Sequence, residues 1–230
     1  MEVISENKIE TVIFDLDGTL LDTLDDLHES VNAALKKSGY PERSRNEVRA
    51  FLGNGIRRLV EQSVPEGIST EMCDKVFENF KTYYMEHCED RTKPFEGIPE
   101  VLKELKKRGI SMAIVSNKAD SAVKELAEKY FKDKISVAIG EREGVKRKPE
   151  PDSVFEAMRI LGAKKETTIY IGDSEVDRAT AENAGVPCVL VTWGFRDEEL
   201  LASLEADFLI HRPEELLEIV CECENKMNKC

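Results

Sequence analysis

Apolar positions along the chain follow two periods, and their alternation predicts most of the fold. Short apolar runs typical of buried strands lie at residues 9–14, 111–115, 135–139, 168–171, 188–192 and 207–210. Helical stripes lie between the later runs, around residues 98–105, 119–130, 154–161 and 176–184, and from Pro213 onwards. This alternation predicts an α/β fold in which helices cover both faces of a parallel sheet.

Residues 21–90 differ from the rest of the chain because their apolar spacing is helical throughout. Stripes are formed by Leu24, Leu27, Val31 and Leu35, and by Met72, Val76, Phe80, Tyr83 and Tyr84. Two shorter helices are predicted at residues 46–52 and 56–64. We therefore predict a core of residues 1–20 and 91–230, and an all-helical domain of residues 21–90 inserted after the first strand. The linkers are expected near residues 19–23 and 91–95.

Composition and charge narrow the possible partners. The 230 residues carry 46 acidic and 33 basic side chains, which gives a net charge of −13. Such a charge disfavours nucleic acid and anionic membranes as partners. Residues 1–9 contain no apolar run of a secretory signal, and no stretch has the length of a membrane helix. We expect a cytoplasmic protein, monomeric or homodimeric, that binds neither nucleic acid nor a membrane.

The cysteines do not follow a disulfide or zinc spacing, and we expect reduced thiols. They are Cys73, Cys88, Cys188, Cys221, Cys223 and Cys230.

Polar side chains follow several of the predicted strands, at the point where each strand ends. Asp15 and Asp17 follow the first strand, and Ser116, Asn117 and Lys118 follow the second. Lys148 lies in the loop after the third strand, and Asp173 and Asp177 follow the fourth. Because parallel strands direct their carboxyl ends to one edge of the sheet, these groups are expected to converge there.

The chemistry of this set points to a metal ion and a phosphate. Carboxylates in one cleft repel each other unless a cation joins them, and an oxygen-only donor set favours Mg²⁺. A hydroxyl and a lysine added to that set make a site for a doubly charged oxyanion such as phosphate. A carboxylate is then available to attack phosphorus and form an aspartyl-phosphate.

The four strand-end motifs resemble those of the haloacid dehalogenase-like phosphatases. They are Phe14-Asp15-Leu16-Asp17-Gly18-Thr19-Leu20, Val115-Ser116-Asn117-Lys118, the lysine of Lys148-Pro149-Glu150-Pro151, and Gly172-Asp173-Ser174-Glu175-Val176-Asp177. Their order and spacing fit the family over essentially the whole chain. The resemblance implies a Rossmann-like core, and it implies that the inserted helices are the family's cap domain.

The resemblance also implies the acid–base and metal chemistry of the site. Asp15 is the expected nucleophile, and Asp17 is expected to protonate the leaving group and then deprotonate the attacking water. Mg²⁺ is expected to be held by the Asp15 side chain, the Asp17 backbone carbonyl and the Asp173 side chain.

Substrate contacts follow from the same resemblance. Ser116 and the Asn117 backbone N–H are expected to bind phosphoryl oxygens, and Lys148 to neutralise one of them. Asp177 is expected to orient either Lys148 or a metal-bound water.

Several of these residues also fit purely structural roles. Asp15 and Asp17 fit a solvated turn, and Asp177 fits the first turn of a helix. Ser116 and Asn117 are good helix N-caps, and Lys148 belongs to a charge cluster with Lys146 and Arg147.

In the helical domain, Gly53, Asn54 and Gly55 form either an inter-helix turn or a loop into the active site. Arg57 or Arg58 either contacts a substrate carboxylate or lies on a solvated face.

Within the family, three segments resemble the phosphoglycolate phosphatase subgroup most closely. They are residues 53–57, Val176-Asp177 and residues 191–196. The predicted function is Mg²⁺-dependent hydrolysis of a small phosphorylated metabolite, with 2-phosphoglycolate as the expected substrate. Alternatives within the same chemistry are a β-phosphoglucomutase-like sugar phosphomutase and a nucleotidase or pyrophosphatase. A more distant alternative is a receiver-type signalling domain, although receivers lack an inserted helical block.

Overall fold

The structure is a computed structural model that describes residues 8–227, with side chains described through Cys221. Most of the segment in which we expect no secretory signal, as well as Cys230 and the Cys223 side chain, lies outside the described residues. The other cysteines, Cys73, Cys88, Cys188 and Cys221, are free thiols, as predicted.

Strands and helices alternate along the chain after the helical insertion. The strands are β1 (Thr11–Phe14), β2 (Leu21–Asp22), β3 (Lys93–Pro94), β4 (Ser111–Ala119), β5 (Val137–Glu141), β6 (Thr168–Gly172), β7 (Cys188–Val191) and β8 (Phe208–Ile210). The helices are α1 (Leu24–Lys37), α2 (Arg45–Phe51), α3 (Gly55–Ser63), α4 (Thr70–His87), α5 (Ile98–Lys107), α6 (Asp120–Phe131), α7 (Asp152–Leu161), α8 (Glu175–Ala184), α9 (Glu198–Ser203) and α10 (Glu215–Met227). None of the helices within residues 8–227 is long and apolar enough to span a bilayer.

Six strands of the described chain form a parallel sheet in the order β5-β4-β1-β6-β7-β8. The strand β1 lies at its centre, and all four of its residues are buried. The predicted α/β fold with a parallel sheet is confirmed. The chain order reverses around β1, and in open α/β sheets such a switch point is where ligands bind.

Several strand boundaries differ from the predictions. The strand β1 begins at Thr11 instead of Ile9. The strand β4 continues to Ala119 instead of ending at Val115, with a register irregularity against β5 between these two residues. The strand β5 begins at Val137 instead of Ile135, because the Ile135 N–H donates to the Phe131 carbonyl and closes the turn after α6. The helix α9 was not predicted, since its six residues are too few to show a periodic stripe.

The described chain forms two compact units, one of residues 8–20 and 94–227 and the other of Leu21–Lys93. The second unit contains α1 to α4, in which α1 packs against α4 and α2, and α3 packs against α4. Ser44 begins α2 with a reciprocal capping box to Glu47, an arrangement typically worth about 1 kcal/mol. The ends of this unit are also joined, because β2 pairs with β3.

Candidate active site

The candidate site lies at the carboxyl ends of the central strands. Asp15 directly follows β1, and its backbone N–H donates to the Ile171 carbonyl of β6 at 2.8 Å. Asp173 directly follows β6, which is paired with β1. Ser116 and Asn117 lie in the last part of β4, the other neighbour of β1. Pairing of adjacent parallel strands therefore brings three of the predicted motifs together.

Three carboxylates meet at this edge. Ligand oxygens of Asp15, Asp173 and Asp177 lie within 4.8 Å of one another, and all three side chains are buried. Burial raises the pKa of Asp15 to about 7, against the opposing charge of Lys148. Burial and the neighbouring charges of Asp177 and Asp15 also raise the pKa of Asp173. A buried, oxygen-only set with excess negative charge fits Mg²⁺.

Lys148 is the cation of this cluster, and it is buried with 4% exposure. Its Nζ lies 2.9 Å from Asp15 Oδ1 and 2.8 Å from Asp177 Oδ1. Burial disfavours its charged form, but the carboxylates of Asp15 and Asp177 offset this and raise its pKa well above the ordinary value. Nearby Lys146 differs, because it is exposed and its ion pair is a 3.7 Å contact with Glu150. Lys148 therefore belongs to the site, whereas Lys146 is part of a solvated cluster.

Asp177 is fixed by donors on both of its carboxylate oxygens. Its Oδ1 accepts from Lys148 Nζ at 2.8 Å and from the Tyr170 hydroxyl at 3.1 Å. Its Oδ2 accepts from Ser174 Oγ at 2.6 Å and from the Asp173 N–H at 3.2 Å. Asp177 lies in the first turn of α8, as the sequence allowed, and it is also completely buried within this network.

Tyr170 completes this network and was not predicted. Its hydroxyl accepts from Lys148 Nζ at 3.1 Å as well as donating to Asp177. Burial raises its pKa well above the ordinary value, so the phenol keeps its proton. Its position in the middle of β6 was indistinguishable in the sequence from that of any other core aromatic residue.

Asn117 and Ser116 do not cap the next helix. The helix α6 has Ala119 as its N-cap and no side-chain cap hydrogen bond. Instead, Asn117 Nδ2 donates to the Lys148 carbonyl at 3.1 Å, and Asn117 Oδ1 accepts from the Lys148 N–H at 2.9 Å. This reciprocal pair fixes the loop that carries Lys148 against the end of β4. Ser116 Oγ accepts from the Lys118 N–H at 3.3 Å.

Lys118 is a second buried cation, and sequence reasoning gave it no role. Its Nζ donates to both carboxylate oxygens of Asp17, at 3.0 and 3.2 Å. Its side chain is 4% exposed, whereas that of Asp17 is 22% exposed. The acidic cluster near Lys148 does not include the Asp17 carboxylate. The only signal in the sequence was the position of Lys118 directly after two predicted site residues.

Arg57 and Arg58 form ion pairs within the helical unit. Arg57 pairs with Glu61 at 2.9 Å and with Asp74 at 2.6 Å, and its guanidinium lies 5.1 Å from the centre of the Phe77 ring. Arg58 pairs with Glu61 at 3.4 Å. In this structure the acidic partners of both arginines are therefore exposed side chains of the same unit.

Residues 53–55 lie where α2 gives way to α3. Gly53 and Asn54 belong to the connection, with Asn54 at the N-cap position, and Gly55 is the first residue of α3. Gly53 and Gly55 have φ values of 102° and 76°, a left-handed region that favours glycine.

Comparisons with known proteins show which proteins this chain is similar to. The haloacid dehalogenase-like hydrolase family matches residues 12–191. A phosphoglycolate phosphatase of Vibrio parahaemolyticus is 32% identical over 227 residues, covering 94% of this chain and 98% of the relative. An N-acetylmuramic acid 6-phosphate phosphatase of Pseudomonas aeruginosa is 27% identical, with coverages of 94% and 98%. A candidate phosphoglycolate phosphatase structure from Lactobacillus delbrueckii has a TM-score of 0.88 and 34% identity, with coverages of 93% and 98%.

Proposed function

This chain belongs to the haloacid dehalogenase-like hydrolase family and is a phosphatase for a small phosphorylated substrate, and we propose that it hydrolyses 2-phosphoglycolate through an aspartyl-phosphate on Asp15. The observation that carries the mechanism is the buried cluster in which Asp15 lies beside Lys148 and Asp173. The choice of substrate is supported by the phosphoglycolate phosphatases among its relatives.

Asp15 is the proposed nucleophile. One of its carboxylate oxygens forms a bond to phosphorus while the bond from phosphorus to the substrate oxygen breaks. Burial raises the pKa of Asp15 to about 7 even though Lys148 Nζ lies 2.9 Å away and opposes this rise. Further positive charge beside Asp15 would favour its ionised, nucleophilic form.

Mg²⁺ is the proposed cofactor of this site. The Asp15 and Asp173 carboxylates and the Asp17 backbone carbonyl would hold it, and when bound it would neutralise negative charge on the phosphoryl oxygens. Asp177 is left out of this ligand set because its two oxygens already accept hydrogen bonds from four donors. Its proposed role is to fix the ammonium group of Lys148.

Asp17 is the proposed acid and base. It gives a proton to the departing alkoxide, and it then takes a proton from the water that attacks the aspartyl-phosphate, which releases phosphate and restores Asp15. Lys118 holds both oxygens of Asp17, and we assign Lys118 the role of positioning this carboxyl group. The ion pair must open before Asp17 carries the proton to the leaving group.

Phosphoryl binding is assigned to Ser116, the Asn117 N–H and Lys148. The Asn117 side chain is occupied by the backbone of Lys148, so its proposed contribution is to position Lys148, while its N–H binds the substrate. We further propose that residues 21–90 are the helical cap domain of the family.

The proposed function is tested by measuring phosphate release from 2-phosphoglycolate and from a panel of other phosphomonoesters. N-acetylmuramic acid 6-phosphate belongs in the panel because a relative that covers most of the chain is named for it. We expect the highest kcat/KM for 2-phosphoglycolate, reversible loss of activity on chelation of Mg²⁺, and a trapped phosphoryl group on the peptide that contains Asp15. Isomerised sugar phosphate without net phosphate release would instead identify a phosphomutase. Activity that survives chelation would contradict the proposed metal site.

A further inference from the structure

The loop after β7, residues 192–196, contacts the side chain of Asp173 through its backbone. The Phe195 N–H donates a 2.7 Å hydrogen bond to Asp173 Oδ2. Gly194 lies so close to Asp173 that an added Cβ would overlap with its Cβ and Oδ2, and with the Gly18 carbonyl. A side chain at position 194 would therefore displace either this loop or the Asp173 carboxylate.

A second loop contacts the Asp173 carboxylate. Gly18, in the loop after β1, has a φ of 87°, and a Cβ there would overlap with all three atoms of the Asp173 carboxylate group. Trp193 joins the two loops, because its Nε1–H donates to the Thr19 carbonyl at 3.0 Å. The Asp173 carboxylate is thus held next to two glycines on loops that are bonded to each other.

The far end of the loop after β7 is fixed to the start of α8. Arg196 donates to both carboxylate oxygens of Glu175, at 2.7 and 2.9 Å. Arg196 is 9% exposed, and Glu175 lies two residues after Asp173. A bidentate pair of this kind restrains both position and orientation. Residues 193 and 196 therefore fix the loop on each side of the Phe195 N–H.

We propose that residues 193–196 form a positioning clamp that holds the Asp173 carboxylate in the orientation that binds Mg²⁺. This inference rests on the proposed function, in which Asp173 is a metal ligand. Holding the carboxylate before the metal arrives removes the ordering cost that a freely rotating side chain adds to binding. Groups that orient metal ligands in this way commonly change metal affinity about 10- to 100-fold when removed.

The test is the equilibrium affinity of the metal-free protein for Mg²⁺, measured by titration calorimetry. Gly194→Ala adds the overlapping Cβ, and Trp193→Phe removes the hydrogen bond to Thr19 while keeping an aromatic ring. Gly109→Ala is the control, because Gly109 has a φ of 76° and no atom within 4 Å of its added Cβ. It therefore introduces backbone strain without contacting Asp173.

We expect Gly194→Ala to weaken Mg²⁺ binding about 10-fold or more and Trp193→Phe to weaken it about threefold. Gly109→Ala should lower the melting temperature but keep the wild-type affinity. If Gly194→Ala does not fold, Trp193→Phe decides the question. Wild-type affinity in the folded variants would overturn the clamp alone. Failure of the wild-type protein to bind Mg²⁺ would overturn the proposed metal site together with the clamp.

Discussion

The two compact units use charged side chains in different ways. In the sheet unit, Lys148 and Asp177 form an ion pair whose side chains are 3% and 0% exposed. In the helical unit, Arg57 and Asp74 form a pair of similar length whose side chains are 39% and 53% exposed. Exposed pairs contribute little to stability, whereas a buried charge that loses its partner is strongly destabilising. The buried pairs therefore lie where the cost of removing charges from water is highest, which is the candidate active site.

The largest effect is expected at the nucleophile. Asp15→Asn keeps the size of the side chain but removes the attacking carboxylate, so we expect phosphate release from p-nitrophenyl phosphate to fall by at least about 10³-fold. Far-UV circular dichroism and a cooperative melt would verify the fold. Substantial turnover by the folded variant would contradict the assignment of Asp15.

Removal of the buried cation is expected to be the most destabilising change. Lys148→Met leaves Asp15 and Asp177 without their shared partner, and we expect a loss of about 3–5 kcal/mol in the free energy of unfolding. Urea denaturation in the presence of a chelator measures this. A loss below about 1 kcal/mol would show that these buried ion pairs contribute no more to stability than an exposed ion pair does.

The raised pKa of Asp15 predicts that the difference in melting temperature between Asp15→Asn and wild type depends on pH. In metal-free protein this carboxyl group binds its proton more tightly when folded, with a pKa of about 7, than when unfolded, with a pKa of 3.8. Its contribution to stability is therefore present below the unfolded pKa and is lost as the pH rises through the folded pKa. The melting temperature of Asp15→Asn minus that of wild type should increase from about pH 5 to about pH 8. A constant difference would refute this expectation.

A smaller effect is expected at Tyr170. Tyr170→Phe removes the hydroxyl that contacts Lys148 and Asp177, and we expect a loss of about 1–2 kcal/mol in urea denaturation. Tyr40→Phe is the matched control, because the exposed Tyr40 hydroxyl makes a long 3.7 Å hydrogen bond to the Met72 sulfur. Equal losses in the two variants would argue against a special role for the buried hydroxyl.

The smallest effect is expected in the helical unit. Arg57→Gln removes two exposed ion pairs, with Glu61 and Asp74, and the free energy of unfolding should change by less than about 1 kcal/mol. A loss comparable to that of Lys148→Met would remove the contrast between the two units.

Much of the fold and part of the site could be predicted because their signals are local. A buried strand followed by Asp15 or Asp173 is visible within a few residues, and the parallel arrangement of strands brings these ends together. The partners of each side chain could not be predicted in this way. Lys118 and Asp17 are 101 residues apart, so nothing near either residue indicates their ion pair. The pairing of Arg57 with Asp74 was missed for a similar reason, since Asp74 lies on another helix.

The strand boundaries that were missed also depend on contacts beyond the local pattern. Residues 116–119 are polar or small and end an apolar run, yet they continue β4 because pairing with β5 resumes at Ala119. Ile135 fits a strand by its side chain, but its backbone N–H is used by the turn after α6. Backbone hydrogen bonds of this kind do not alter the hydrophobic pattern.

The joined ends of the helical unit make it an exchangeable module. Asp26 accepts hydrogen bonds from the Arg91 and Thr92 N–H groups and from Thr92 Oγ1, and β2 pairs with β3 at the same ends. Closing a flexible loop of this length costs about 4 kcal/mol of chain entropy, and these bonds help to offset that cost locally. Because the entry and exit strands already lie side by side, a short turn in place of the insertion would leave the connectivity of the parallel sheet unchanged. A different segment inserted at this point would therefore leave the order of the strands in the parallel sheet unchanged.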